Sequence, residues 1–374
     1  MIYFDNAATT KPSDNVLNEF VRASNTQYAN PGSIHAFGME NRVNIDRIRL
    51  NILKTLNLSN KDYEVIFTGG ATESNNLAIQ GFCLRNAKRF NHIMTSVYEH
   101  SSVLNVFKHL ETLGFKVDYI KVTPEGVLDL NDLKEHLDGK PVFASFMGAN
   151  NEIGTTNDYG KIRELIGEDS ILHGDLVQAI GKTRIDFTKF DLFNFTSHKI
   201  YGLKGCACLI KKKKINISPI VYGGNQEEGL RSGTLDYPSI SAFSVAISDL
   251  FTNYETEYKK AKEIRDYLVK ELGSIDGVAL HDFPTCCPYI LSLSLTKKKA
   301  SVVVEALSNK EIFVNSVSAC YSKSEVVSYV LKTINRDDIE AKNPIRISIG
   351  KYNTLEEAKI FVKEFKEILE SIRS

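Results

Sequence analysis

The sequence predicts an α/β fold, with a mostly parallel sheet in a large domain and a smaller α+β domain at the C-terminal end. Two observations predict it. From about residue 40 to residue 250, short apolar runs rich in β-formers alternate with helical patterns, as strand–helix units do. From about residue 255 the texture changes to a charged amphipathic helix and an alternating strand. With 374 residues, 43% hydrophobic and 25% charged, the chain can bury a large core and form two domains. The expected boundaries are 1–15 for an N-terminal segment packing with the small domain, 16–255 for the large domain and 256–374 for the small one.

Taken in order, "EVIFT" (64–68) reads as a strand, followed by a glycine pair and a helix from Thr72. "HIMTSV" (92–97), "PVFASFM" (141–147), "SILHGD" (170–175) and "DLFNFTS" (191–197) read as further buried strands. The run Lys211 to Lys214 after the next strand reads as a solvated turn. "YETEYKKAKEIRDYLVKEL" is a charged amphipathic helix, and "YILSLSL" alternates like a half-exposed antiparallel strand. In the last helix Thr354 is the expected N-cap, Glu357 completes a capping box, and Phe361, Phe365 and Ile368 share one face.

The 46 basic and 46 acidic residues balance, which argues against direct nucleic-acid binding or an anionic membrane partner. No apolar run approaches the roughly 20 residues of a membrane span, and the N-terminus has no signal-peptide pattern. The six cysteines lack zinc-site spacing, so no metal is expected, and a reduced, cytoplasmic protein is the expectation.

One constellation carries chemistry. "NFTSHKIYG" puts Lys199 at the end of an apolar strand, "HGDLVQ" puts Asp175 at the end of the preceding one, and "TGGATES" puts a Gly-Gly turn and Thr72 at a helix start. An isolated lysine at a strand end is ordinarily a surface residue. Together, an amine nucleophile, a buried carboxylate and a helix N-terminus meet the needs of pyridoxal 5'-phosphate. The amine forms a Schiff base, the carboxylate keeps the pyridine nitrogen protonated, and backbone N–H groups receive the phosphate.

The stretches "IYFDNAATT", "NPGSIHAFG", "FTGGATESNNLAI", "EHSSVL", "NNEIGT", "HGDLVQAIGK", "SHKIYGLKG", "GGNQEEGLRSGTLD", "SVSAC" and "IRISIG" follow one another from Ile2 to Gly350. In these the chain resembles a cysteine desulfurase of the NifS/IscS type, within the fold type I pyridoxal-phosphate enzymes of the class V aminotransferase family. The resemblance implies that Lys199 holds the cofactor, Asp175 pairs with its pyridinium nitrogen and Gln178 with its phenolic oxygen, and His100 stacks on the ring and acts as an acid–base group. It implies Ala71, Thr72, Thr196 and His198 at the phosphate, with Thr234 reaching that phosphate across the interface of a homodimer. Arg346 and Asn151 would bind the carboxylate of L-cysteine. Each has a bland alternative in isolation: a core histidine for His100 and His198, a turn cap for Asn151, a backbone hydrogen bond for Gln178, a structural ion pair for Arg346.

The resemblance also gives Cys320 a task. Among Ser316, Ser318, Ser322 and Ser324 it reads as a mobile loop thiol that attacks the substrate sulfur, becomes a persulfide and delivers it to an acceptor protein. Cys206 and Cys208 read as core, and Cys286 and Cys287 as structural. Val317, where the family has glycine, together with Tyr321, Leu203, Asn225 and Lys351, departs from the pattern. Three alternatives remain open at this point: a selenocysteine lyase, another fold type I enzyme such as an aminotransferase, and a low-turnover sulfur-relay scaffold. Iron–sulfur assembly, tRNA thiolation and thiamine or molybdopterin biosynthesis are all open as destinations of the sulfur.

Overall fold

The computed structural model describes residues 1–316 and 327–372; Cys320, Val317 and the expected mobile loop lie outside the described residues. The strands are β1 (Ile2–Tyr3), β2 (Tyr63–Thr68), β3 (His92–Ser96), β4 (Lys116–Ile120), β5 (Phe143–Met147), β6 (Ile171–Asp175), β7 (Leu192–Thr196), β8 (Ala207–Lys212), β9 (Val278–His281), β10 (Ile290–Leu295), β11 (Ile312–Phe313) and β12 (Pro344–Ser348). A seven-stranded sheet runs in the order β2-β8-β7-β6-β5-β3-β4. Its β4, β3, β5, β6 and β7 are parallel neighbours, and β8 is antiparallel to both β7 and β2. Two antiparallel steps restore direction, so β2 points the same way as β7. The carboxyl ends of β2, β3, β5, β6 and β7 therefore share one edge of the sheet, where open α/β sheets bind their ligands.

Both faces of this sheet are covered at its centre, which explains why β5, β6 and β7 are buried along their whole length. Phe193 and Phe195 of β7 join one core with Ile45, Ile52, Ile240 and Phe243, from helices Ala36–Thr55 and Tyr237–Thr252. Leu192 joins the opposite core with Leu77, Phe82, Val103 and Phe107, from helices Ala71–Asn86 and Ser101–Thr112. A third core gathers Leu268, Leu293, Ile347, Phe361 and Phe365 around the antiparallel sheet β12-β10-β9, and it includes Ile2 and Phe4. β1 pairs in parallel with β11. The final helix, Leu355–Ser371, has the Thr354–Glu357 capping box.

Two sequence expectations need correction. β10 is buried on both faces rather than half exposed. Ser294 Oγ donates to Glu340 O (2.8 Å) and accepts from His281 Nε2 (2.8 Å), so its alternating hydroxyls meet covering protein instead of water. The lysine run is only half a solvated turn. β8 continues through Lys212, and buried Lys211 pairs with Glu64 and donates to Ile215 O (2.9 Å). A buried lysine on this interior strand is tolerated because its charge and donors find partners.

Arg163 shows the same rule more strongly. Its guanidinium meets Asp191 at 2.5 Å, with side chains 5% and 4% exposed, and also donates to Lys189 O, Gly167 O and Ser170 O. Arg163→Met would strand these acceptors. It is expected to cost about 3 kcal/mol, read as a lower urea midpoint, because removing one partner of a buried pair exposes the full desolvation cost of the other. An unchanged midpoint would contradict this account.

Candidate active site

Asp175 ends β6 and is buried. Its Oδ2 accepts from Asn75 Nδ2 (2.9 Å) and its Oδ1 from the Val177 N–H (3.1 Å), so the carboxylate is oriented from two sides. Asn75 escapes the sequence reading. The signal was a polar residue one helical turn past Thr72, on the helix face turned to the sheet. It also donates to Ser102 Oγ (2.9 Å), beside His100.

Lys199 lies in the 3₁₀ turn Ser197–Lys199 that follows β7. Its Nζ donates to Ala7 O (2.5 Å) and Ala8 O (2.8 Å), which brings the N-terminal segment into the site. Burial pushes this amine down to about 7; Lys182 and Arg346 push the same way, against Asp5 and Asp175. A large share of it is then neutral, and nucleophilic, near pH 7. The turn closes tightly. Tyr201 takes a φ of 66°, and a Cβ on Gly202 would lie 1.9 Å from Ser197 Oγ and 3.0 Å from Ser197 O, so a side chain there would displace the Ser197 hydroxyl.

His100 follows β3 and caps the helix Ser101–Thr112, accepting the Ser102 N–H at Nδ1 (3.1 Å). The neutral ring therefore carries its proton on Nε2. Although the ring keeps an exposed edge, partial desolvation lowers its pKa; Lys199 lowers it further and Asp175 opposes.

The helix Ala71–Asn86 begins at Gly70 with no side-chain cap, leaving first-turn N–H groups for an anion, with Thr72 exposed among them. His198 approaches Thr9 Oγ1 through Nδ1 (3.1 Å), and burial, aided by Lys199, lowers its pKa to about 4, so it is neutral. Thr196 is buried with its hydroxyl donated to Cys206 O (3.1 Å), and an anion there requires that hydroxyl to rotate. Thr234 is exposed on the loop 223–236, whose Arg231 pairs with Glu73 in the first turn of that helix (2.6 Å).

Two expected ligands hold other partners in this conformation. Gln178 donates through Nε2 to Ala7 O (2.8 Å), and its Oε1 receives Lys182 Nζ (2.5 Å). Arg346 pairs with Asp5 (2.9 Å) and donates to Asn151 O (2.9 Å), while its Nε and Asn151 Oδ1 are buried without partners. Asp5, also missed by the sequence reading, sits in "FDNAATT" and is further held by Asn315 Nδ2 (3.1 Å). A partly neutral amine, an oriented carboxylate, an uncapped helix start and an orphaned guanidinium N–H can together hold pyridoxal phosphate and an amino acid.

The class-V aminotransferase family pattern matches residues 2–361. A "NifS/IcsS protein homolog" of Lactobacillus delbrueckii subsp. bulgaricus is 35% identical, covering 98% of this chain and 97% of the relative. A "Cysteine desulfurase IscS" of Rickettsia bellii is 36% identical over 97% of this chain and 89% of the relative. The chain belongs to the class-V aminotransferase family, with the cysteine desulfurases of the NifS/IscS type. Among solved structures, a NifS-like protein superposes with a TM-score of 0.92 at 33% identity, covering 99% of this chain and 100% of its own. A NifS-like protein from Rickettsia africae gives 0.89 at 28% identity, covering 99% of each. The expected fold therefore stands. Within this desulfurase-family chain the edge formed by β2, β3, β5, β6 and β7 gathers Ala71, Thr72, His100, Asn151, Asp175, Gln178, Thr196, His198 and Lys199. Arg346 arrives from β12 by its bond to Asn151 O.

Proposed function

We propose that this chain is an L-cysteine desulfurase that works with pyridoxal 5'-phosphate, converts L-cysteine to L-alanine and keeps the sulfur as a persulfide on Cys320. The observation that carries the reading is an oriented buried carboxylate, Asp175, and an amine lowered to about 7, Lys199, after neighbouring parallel strands of one sheet edge. The near full-length likeness to proteins named cysteine desulfurase supports it. Lys199 would attach the cofactor, with Asp175 at its pyridine nitrogen, Gln178 at its phenolic oxygen and His100 at its ring. Ala71, Thr72, His198 and a rotated Thr196 would hold the phosphate. When bound, the cofactor draws electrons from the Cα of the amino acid.

The remaining work falls to side chains. Lys199 removes and returns protons at carbon, a task suited to a group that titrates near the working pH. Arg346 leaves Asp5 for the substrate carboxylate, beside Asn151. His100 exchanges a proton with the substrate thiol through Nε2. The Cys320 thiolate attacks the substrate sulfur: the S–S bond forms, the C–S bond breaks, and the carbon takes up a proton. An acceptor protein then takes the sulfur. The working unit is a homodimer with exposed Thr234 reaching across the interface, in the cytoplasm. Residues 1–15 belong with the small domain, as the pairing of β1 with β11 suggests.

The test is direct. Protein loaded with pyridoxal phosphate is expected to turn yellow and release alanine and, with a reductant, sulfide in equal amounts from cysteine. A colourless protein, or one making no alanine, sinks the reading. The pH dependence has a definite sign. Because the neutral amine reacts, capture of the cofactor by Lys199 should accelerate as pH rises through about 7, then level off. A rate still climbing toward pH 10 would mean an unperturbed lysine.

A further inference from the structure

Lys182 has no part in the roles assigned above. It lies four residues beyond Gln178, is 8% exposed, and lines with Lys199 a cavity of about 310 Å³. Its Nζ meets Gln178 Oε1 at 2.5 Å. An ammonium only donates, so the amide oxygen must face it. At the other end Gln178 Nε2 donates to Ala7 O (2.8 Å), the carbonyl that also accepts Lys199 Nζ (2.5 Å). One hydrogen-bonded chain thus runs Lys182–Gln178–Ala7–Lys199, and each end of the amide admits a single orientation. Nε2 has a second N–H, which remains available.

We propose that Lys182 is a positioning residue of the cofactor site: its buried ammonium fixes which way round the Gln178 amide lies, so that an N–H faces the phenolic oxygen, and its charge acts on Lys199. The inference rests on the function proposed above. Burial lowers Lys182 only to about 8, so it is mostly charged at pH 7, and it is the strongest like charge on Lys199. The other titratable and charged groups facing the pair are Arg346, Asp5, Asp175, the Cys287 thiol, His198, which both lysines push down, and His100, which Lys199 pushes down.

Lys182→Met removes the donor and the charge at similar bulk. Lys182→Gln removes the charge and stays polar. Thermal unfolding of the cofactor-free proteins verifies the fold. The first measurement needs no cofactor: the pH dependence of reductive methylation at Lys199, read by mass spectrometry. Both variants are expected to raise its midpoint by about one pH unit, since a like charge is gone. The second is the pH titration of visible absorption in the loaded protein. Lys182→Met should shift it further than Lys182→Gln does, since both lose the charge but only methionine leaves the Gln178 amide without a polar partner, and that difference should vanish on a Gln178→Leu background. A folded variant with the parental Lys199 midpoint overturns the proposal, and Lys182→Gln gives that answer even where Lys182→Met fails to fold. So does a difference between the absorption shifts of the two Lys182 variants that survives Gln178→Leu. A parent that stays colourless defeats the proposed function instead, while the Lys199 midpoint still decides whether Lys182 acts on it.

Discussion

Lys199→Ala is expected to give a folded protein that stays colourless with pyridoxal phosphate and loses at least about 10³-fold in alanine formation, since both the attachment point and the proton carrier are gone. Stability should not fall in step. The folded-state pKa of about 7 lies far below the ordinary lysine value, so protonating the buried amine works against folding. Below pH 7 that penalty is fully present. It fades as pH rises from about 7 toward the unfolded value, where the unfolded state still holds the extra proton. The parent should therefore gain stability across this range relative to Lys199→Ala, while the variant loses the hydrogen bonds to Ala7 O and Ala8 O. Urea midpoints at pH 6 and pH 9, compared for the two proteins, measure the difference. A yellow, active Lys199→Ala protein would remove the basis of the proposed chemistry.

Cys320→Ala is expected to keep the colour and to lose persulfide and alanine by several orders of magnitude. The case is made by the other five thiols. Cys83, Cys206, Cys208 and Cys287 are buried, and burial pushes each thiol upward, away from the thiolate. Cys286 is half-buried, raised to about 11, and donates its S–H to Ile153 O (3.3 Å). None of the five is a ready thiolate near pH 7, and the thiolate is the form that attacks sulfur. Mass spectrometry after one turnover should find the added sulfur on Cys320 alone. Parental alanine and sulfide from Cys320→Ala would return the role to another nucleophile.

Much of this arrangement was legible before folding was considered. Strand runs such as "SILHGD" and "DLFNFTS" are apolar on both faces because helices cover both faces, and a residue just past such a run lands on the sheet edge. That places Asp175 and Lys199 from sequence alone. The partners of the expected ligands were not legible. Asp5 with Arg346 and Ala7 with Lys199 are separated by 341 and 192 residues, and no local pattern encodes such pairs. The hydroxyls of β10 misled for a related reason. Alternation reports that a polar group needs a partner, but not whether that partner is water or Glu340 O.

By itself the sequence determined the strand–helix order, the capped last helix, the family and the residue types at the site, since periodicity and motif spacing are local properties of the chain. Only the tertiary structure decided that Lys199 is held at about 7, that Gln178 lies between Lys182 and Ala7, and that Arg346 rests on Asp5. Desolvation and charge act through space, on whatever groups the fold brings together, and so they cannot be read from order along the chain.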